Sequence, residues 1–224
     1  MPTMTPTTHL DVLDAAEHMP LGSTLVVNDF GWDEYELLIR DLDGRRNPRL
    51  SYDCGRLEVV STSRRHDNYS WLVDKLIWEF CEVRGLLLQG YGQATWKRKE
   101  VGKGAEADNS YYVANARHVT AKDDDNNLEF DPPPDIIVEV DLTTDSTRKL
   151  PIYAGLGVPE VWRFDGREFH FHVLADGTYA ESSESPSLPG LTLSLLMEGL
   201  TEARALAPIE AVKAFRRRIK KLKK

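Results

Sequence analysis

The stretch DPPPDIIVEVDL, residues 131–142, constrains the fold more than any other part of the chain. Its three prolines end whatever precedes them and force an extended start. The run that follows, Ile136–Val140, is strongly β-forming. Side chains alternate along a strand, so Ile136, Val138 and Val140 share one face, and Asp135, Ile137, Glu139 and Asp141 share the other. An edge strand could show three acids to water at no cost. This run lies between helical segments and its opposite face is wholly β-branched, which predicts an internal strand. Acids on an internal strand must be paired or must hold a cation. Spacing alone leaves both open: carboxylates satisfied by Arg or Lys, or a hard-metal site built from oxygen ligands.

The remaining pattern alternates helices and strands. Residues 33–42, DEYELLIRDL, carry helical spacing with acids in the first turn. RRNPR (45–49) reads as a loop, and RLSYDCGRLEVVST (49–62) as two strands around a turn at Asp53–Gly55. Residues 68–85 form the clearest helix. Trp71, Leu72, Lys75, Leu76, Trp78, Phe80 and Val83 are expected on its inward stripe, and Gly85 at its end. One or two strands are expected over 86–100, and a Gly-rich turn followed by a strand over 101–116. KDDDNN (122–127) reads as a solvated loop; it lacks the spacing and the glycine of an EF-hand. A short helix over 143–157, a β-hairpin over 158–181 and a linker over 182–190 follow. The chain divides into a flexible arm (1–22), a main domain (23–190) and a C-terminal helical segment with a basic tail (191–224).

Charge and cysteine content narrow the partners. The net charge is −8, yet the last 14 residues hold eight Lys or Arg and no acid, so the first 210 carry −16. An acidic body argues against binding of nucleic acid by bulk charge, unless a divalent metal offsets the acids or the tail supplies contacts. Cys54 and Cys81 cannot build a disulfide scaffold or a four-cysteine zinc site, and are expected to be packed, reduced thiols of a cytoplasmic protein. No apolar run approaches the ~20 residues that cross a bilayer, and no secretory signal is visible.

A second acid, Asp108 in GKGAEADNSYYV, begins a predicted strand with Ser110 and Tyr112 on its face. Water activated by a metal for phosphodiester cleavage needs carboxylates from adjacent strands, and a lysine can stabilise the developing charge. Lys149 and Lys99 are candidates.

The ordered segments GRLEVVS (55–61), RRHDNY (64–69), GKGAEADNSYYVAN (102–115) and PPPDIIVEVDLTTDSTRKLPIYAGLGVPEVWRFDG (132–166) together resemble the Uma-type restriction-endonuclease family of the PD-(D/E)XK nuclease superfamily. The resemblance implies an α/β, restriction-endonuclease-like fold: a central mixed β-sheet flanked by helices, with an added β-hairpin. It implies that Asp108 and Glu139 coordinate Mg²⁺ or Mn²⁺, that Glu58 is an additional acid, and that His66 acts as a ligand or as a donor to one. DNA is the implied substrate. A homodimer is plausible, since two active sites cut two strands.

Two positions depart from the family pattern. Ala107 stands where Pro is usual. Asp141 stands where the superfamily has its lysine, which points to Lys149 as the lysine supplied from the following segment; Asp141 itself adds negative charge beside the metal. Asp135 mimics the motif's aspartate, but Asp135 and Glu139 lie ~13 Å apart along one strand, too far for one ion. Asp135 reads instead as a residue that starts the strand. Lys97, Lys99, Arg216, Arg217 and Lys220 are the candidate nucleic-acid contacts. A non-catalytic interaction protein that keeps the fold is the competing reading, with the acid cluster salt-bridged and no divalent ion bound.

Overall fold

The structure is a computed structural model that describes residues 8–43, 45, 47–120, 128–142 and 144–222. Its helices are α1 (His9–Glu17), α2 (Trp32–Asp41), α3 (Arg64–Arg84), α4 (Ala116–Thr120), α5 (Leu150–Leu156), α6 (Leu193–Ala205) and α7 (Pro208–Ile219). Its strands are β1 (Thr24–Val27), β2 (Arg49–Asp53), β3 (Arg56–Val60), β4 (Gln89–Gly90), β5 (Thr95–Arg98), β6 (Lys103–Glu106), β7 (Asn109–Tyr112), β8 (Ile136–Val140), β9 (Glu160–Phe164), β10 (Phe169–Ala175) and β11 (Thr178–Ser182). The expected loop over 122–127 lies outside the described residues.

The mixed sheet is six-stranded, in the order β11-β10-β9-β8-β7-β4. β8 and β9 run parallel, with Glu139 opposite Arg163. As its place between helical segments and its wholly β-branched face predict, β8 is internal and buried along its whole length. One face of the sheet, with Ile136, Val138, Val140, Trp162 and Phe164, packs under α3, α6 and α7. The other, with Ile137 and Val161, packs against Ile152, Tyr153 and Leu156 of α5. The β10–β11 hairpin turns at Asp176–Gly177, both in the left-handed region.

A second, five-stranded antiparallel sheet, β1-β3-β2-β6-β5, packs beneath α1 and α2. Its β2–β3 hairpin turns at Cys54–Gly55, with φ of 47° and 95°, as a two-residue turn between right-twisted strands requires. The chain passes from this sheet to the mixed one between β6 and β7, through Ala107 and Asp108 alone. Ala107 is fully buried and its N–H donates to the Ala94 carbonyl at 3.1 Å. A proline there could not make that bond.

Several expectations are corrected. The arm over 1–22 contains α1, because Thr8 and Asp11 form a reciprocal capping box and Val12 is buried in the α2-side core. Helix α3 starts at Arg64, four residues before the expected point, since Ser63 caps it by accepting from the His66 N–H. Trp71 and Trp78 do not line the core: they are 47% and 43% exposed. They share an outward face with Lys75, whose ammonium lies 5.8 Å from the Trp71 ring centre. Tyr69, Val73 and Ile77 fill the inward stripe in their place. Cys81 is buried, but Cys54 is exposed on its turn.

The expected linker is packed. Glu160, 1% exposed, accepts from Ser185 Oγ at 2.8 Å and the Ser187 N–H at 2.5 Å, and Leu188 is fully buried. The C-terminal segment is likewise part of the main core, because Leu196, Leu200, Phe215 and Ile219 pack with Leu76 and Phe80 of α3. Gly199 marks the closest approach. A Cβ there would lie 2.9 Å from Phe215 Cδ2 and 3.0 Å from Leu76 Cδ1. Gly199→Ala is therefore expected to lower stability by about 1–3 kcal/mol, read as a fall in the denaturation midpoint. An unchanged midpoint would mean that α6 does not seat on α3 and α7 as described.

Candidate active site

The acids foreseen on β8 and at the start of β7 are brought together by strand register. Asn109 pairs with Val138, so Asp108, one residue further out, faces Glu139 across the ladder. Asp108 is 3% exposed, as is Glu139. The Asp108 Oδ2 atom accepts from the Val140 N–H at 2.8 Å and lies 2.9 Å from His66 Nε2. His66 reaches it from the first turn of α3. Burial opposes ionisation of Asp108, but hydrogen bonding and charge from His66, with Lys149 and Arg49 nearby, hold its carboxyl below the usual range. Burial likewise disfavours the His66 cation, yet the Asp108 partnership outweighs it and raises the imidazole pKa.

Glu139 meets Lys149. The Lys149 ammonium donates to both Glu139 oxygens, at 3.0 and 2.9 Å, and to the Glu106 carbonyl at 3.0 Å. The Tyr153 hydroxyl donates to Glu139 Oε1. Lys149 ends the 3₁₀ turn Ser146–Lys149 and Tyr153 lies one turn later in α5, so both descend onto β8 from the β8–β9 crossover. Burial and the Asp108 charge push Glu139 upward, to about 7, against the pull of Lys149 and Tyr153. Burial works to lower the Lys149 pKa, but Glu139 and Asp108 together raise it. The lysine therefore stays an ammonium at neutral pH.

The Asp141 side chain is spent on structure. It accepts from Arg163 Nε at 2.9 Å and Nη2 at 2.5 Å, and from the Ser146 N–H and Oγ at 3.1 and 3.0 Å. It thereby fixes the start of the turn that delivers Lys149. Burial raises its pKa, with Arg163 and Ser146 opposing. Asp135 accepts from the N–H groups of Val113 and Ala114 at 2.7 and 3.0 Å, so it ties down the end of β7, away from Glu139.

Glu58 lies apart, on β3 of the other sheet. It accepts from Arg56 Nη2 at 2.9 Å and lies 3.8 Å from Arg148 Nη1. Its link to the acid pair runs through Arg148, the neighbour of Lys149. Of the candidate nucleic-acid contacts, Lys97 pairs with Glu36 at 2.9 Å and Lys99 with Asp33 at 3.1 Å. Arg216 is clamped by Glu79 and Glu82 of α3. These three are held by carboxylates at the surface, while Arg217 and Lys220 are exposed.

Three site residues escape a reading of the sequence. Tyr153 carries no charge to flag it. Glu106 is buried, and burial raises its pKa although the Leu50 N–H donates to it at 2.8 Å. Arg49, on β2, is 5% exposed with its Nε 3.6 Å from Asp108 Oδ1. Its Nε and Nη2 are buried without a hydrogen-bond partner among the described residues. Burial of a guanidinium against a carboxylate, with unspent N–H groups, marks a site where charge rather than packing sets the residue type.

The donor set fits a hard divalent cation. Both Glu139 oxygens and the Glu106 carbonyl already converge on one cationic nitrogen, and Asp108 is across the ladder. No group of three or more His, Cys, Asp or Glu side chains among the described residues surrounds a single point, so the acid pair would need the carbonyl, water or substrate to complete a shell. The position of Asp141 yields a direct expectation. Asp141→Lys sets a second cation against the nearly buried Arg163 and is expected to destabilise the fold by about 3 kcal/mol or more without replacing Lys149. Thermal unfolding checks it, and a variant as stable as the wild type would contradict the structural role given to Asp141.

No helix among the described residues is long and apolar enough to cross a membrane. No curated protein matches the chain. The profile of the Uma2 family, described as "Putative restriction endonuclease", matches residues 32–208. That span takes in α2 through α6, the strands β2 to β11 and every residue of the acid–lysine site, and on it the chain belongs to the Uma2 family.

Proposed function

We propose that the chain is a metal-dependent endonuclease that hydrolyses DNA phosphodiester bonds. The observation that carries this reading is the Lys149 ammonium seated on both oxygens of Glu139, with Asp108 facing them from the adjacent strand. Asp108 and Glu139, with the Glu106 carbonyl, would hold Mg²⁺ or Mn²⁺. Bound there, the ion would supply Lewis acidity and a water of lowered pKa. Lys149 offers a fixed positive charge to the phosphoryl oxygens as charge develops in the transition state. Tyr153 fixes the rotamer of Glu139. His66 and Arg49 keep Asp108 ionised in a site closed to water. Glu58 acts at a distance, by holding Arg148 beside the lysine's turn.

A second reading has its own observation. All the oxygens of the acid pair already face donors of the chain itself: His66, the Val140 N–H and Arg49 on Asp108, and Lys149 and Tyr153 on Glu139. That is the salt-bridged arrangement expected of a non-catalytic nucleic-acid-binding or interaction protein that keeps the fold.

Calorimetric titration separates the two. Under the nuclease reading, Mg²⁺ and Mn²⁺ bind to the wild type, with or without DNA present, and binding is lost in both Asp108→Ala and Glu139→Ala. No binding by the wild type at millimolar metal, alone or with DNA, would favour the interaction protein. Lys149→Met provides an independent check. It removes the competing ammonium, so Mn²⁺ binding is expected to persist or tighten while cleavage of plasmid DNA falls by about 100-fold or more. Loss of metal binding in that variant would mean that the lysine organises the acids instead of serving the reaction.

A further inference from the structure

We infer that Arg65 and Arg204, gathered on the ring of Tyr69, form a clamp for a backbone phosphate of DNA beside the reacting one; the inference rests on the DNA reading above. Arg65 is in the first turn of α3, one residue from His66, which touches Asp108. Its guanidinium carbon lies 5.9 Å from the Tyr69 ring centre, and that of Arg204, from the last turn of α6, lies 5.4 Å from the same centre. Tyr69 is itself anchored, since it is 8% exposed and its ring packs 5.1 Å from that of Phe164. Phe164 pairs with Val140, the residue after Glu139. The clamp is thus fixed to the end of the sheet that carries the acid pair.

Its two arginines belong to the cations that the fold leaves without a carboxylate partner among the described residues. Lys97, Lys99, Lys103, Arg163, Arg216 and Arg218 are each matched to a carboxylate. Arg65 and Arg204 are exposed, and no ion pair joins either of them to an acid among the described residues. Arg204 spends one N–H on the Gly166 carbonyl at 2.7 Å, which orients its fork and leaves the other donors open. Two cations held against one aromatic ring repel each other, and an anion between them removes that cost. The planar forks of arginine suit a phosphate. Arg64, exposed beside Arg65, lengthens the basic edge. An acidic body with such an edge next to its buried acids directs a polyanion to one face only.

The test is fluorescence anisotropy of a labelled mixed-sequence duplex in EDTA over a salt series, with circular dichroism confirming that each exposed-residue variant is folded. Each phosphate contact contributes about 0.9 to the slope of log affinity against log salt. Arg65→Gln with Arg204→Gln removes the contact to that one phosphate and is expected to reduce the slope by about 0.9 and to weaken binding by about tenfold at moderate salt. Tyr69→Phe, which keeps the ring, and Lys97→Gln with Lys99→Gln are expected to leave the slope unchanged. An unchanged slope in the double arginine variant overturns the clamp, as does a wild type that binds no duplex at low salt. Cleavage in Mn²⁺ separates the clamp from the reading it rests on. A wild type that binds through the two arginines but cuts nothing keeps the clamp and removes the nuclease. A wild type that cuts, with the double variant binding as well as it does, removes the clamp and keeps the nuclease.

Discussion

A carboxylate on an internal strand is the constraint from which the rest follows. Glu139 is buried on β8 between two apolar layers, where an ionised acid costs several kcal/mol unless a cation reaches it. The partner comes from the crossover between β8 and β9. β8 and β9 are parallel neighbours, so the chain must cross over one face of the sheet between them. That crossover carries Lys149 and Tyr153 down onto Glu139. Asp141 then acts two residues along the same strand face, binding Ser146 at the start of the turn and Arg163 on β9. One acid of the strand faces the site and the next fixes the segment that neutralises it.

The second sheet matters because it delivers the other half of the site. β6 belongs to the five-stranded sheet and β7 to the mixed one, and two residues make the step between them. Asp108 is one of those two. The Glu106 carbonyl, just before the step, accepts from Lys149, and Arg49 comes from β2, which pairs with β6. The site therefore sits on the seam between the sheets. Displacing either sheet would separate Asp108 from Glu139, whose opposition depends on the β7–β8 register.

How legible this was in the sequence depends on the range of the interaction. The alternation in Ile136–Val140 and its proline lead are local signals, and they placed β8, its two faces and the separation of Asp135 from Glu139. Asp108 and Lys149 were candidates on local grounds, an acid at the start of a strand and a lysine just after β8, and the resemblance to a family gave them their roles; His66 came from the resemblance alone. Lys149 in particular has no local mark beyond its charge and that position. Arg49, Glu106 and Tyr153 were not legible, because each matters only through a partner in another element. The same reason applies to surface charge: Arg216 looks like part of a free basic tail until α7 is laid on α3 and meets Glu79 and Glu82. Trp71 and Trp78 misled because α3 is apolar around most of its circumference, so composition could not choose the inward stripe; Tyr69, Val73 and Ile77 could occupy it equally well.

Moving the lysine from the strand to the crossover changes the charge logic of the site. A lysine at position 141 would share the face of β8 with Glu139 and lie against Arg163. Asp141 instead neutralises Arg163, and Lys149 is free to neutralise Glu139. Asp108 and Glu139 are thus already countered, within the described residues, by His66, Arg49 and Lys149. A divalent cation entering this closed site alone would leave it with excess positive charge in a medium that screens poorly. A phosphodiester entering with the cation would offset part of that excess, and Lys149, displaced from Glu139, would find its new partner in the phosphoryl oxygens. The prior countering of the acids thereby couples metal affinity to the presence of the polyanion. A chain with this arrangement would bind metal weakly by itself and more tightly on DNA.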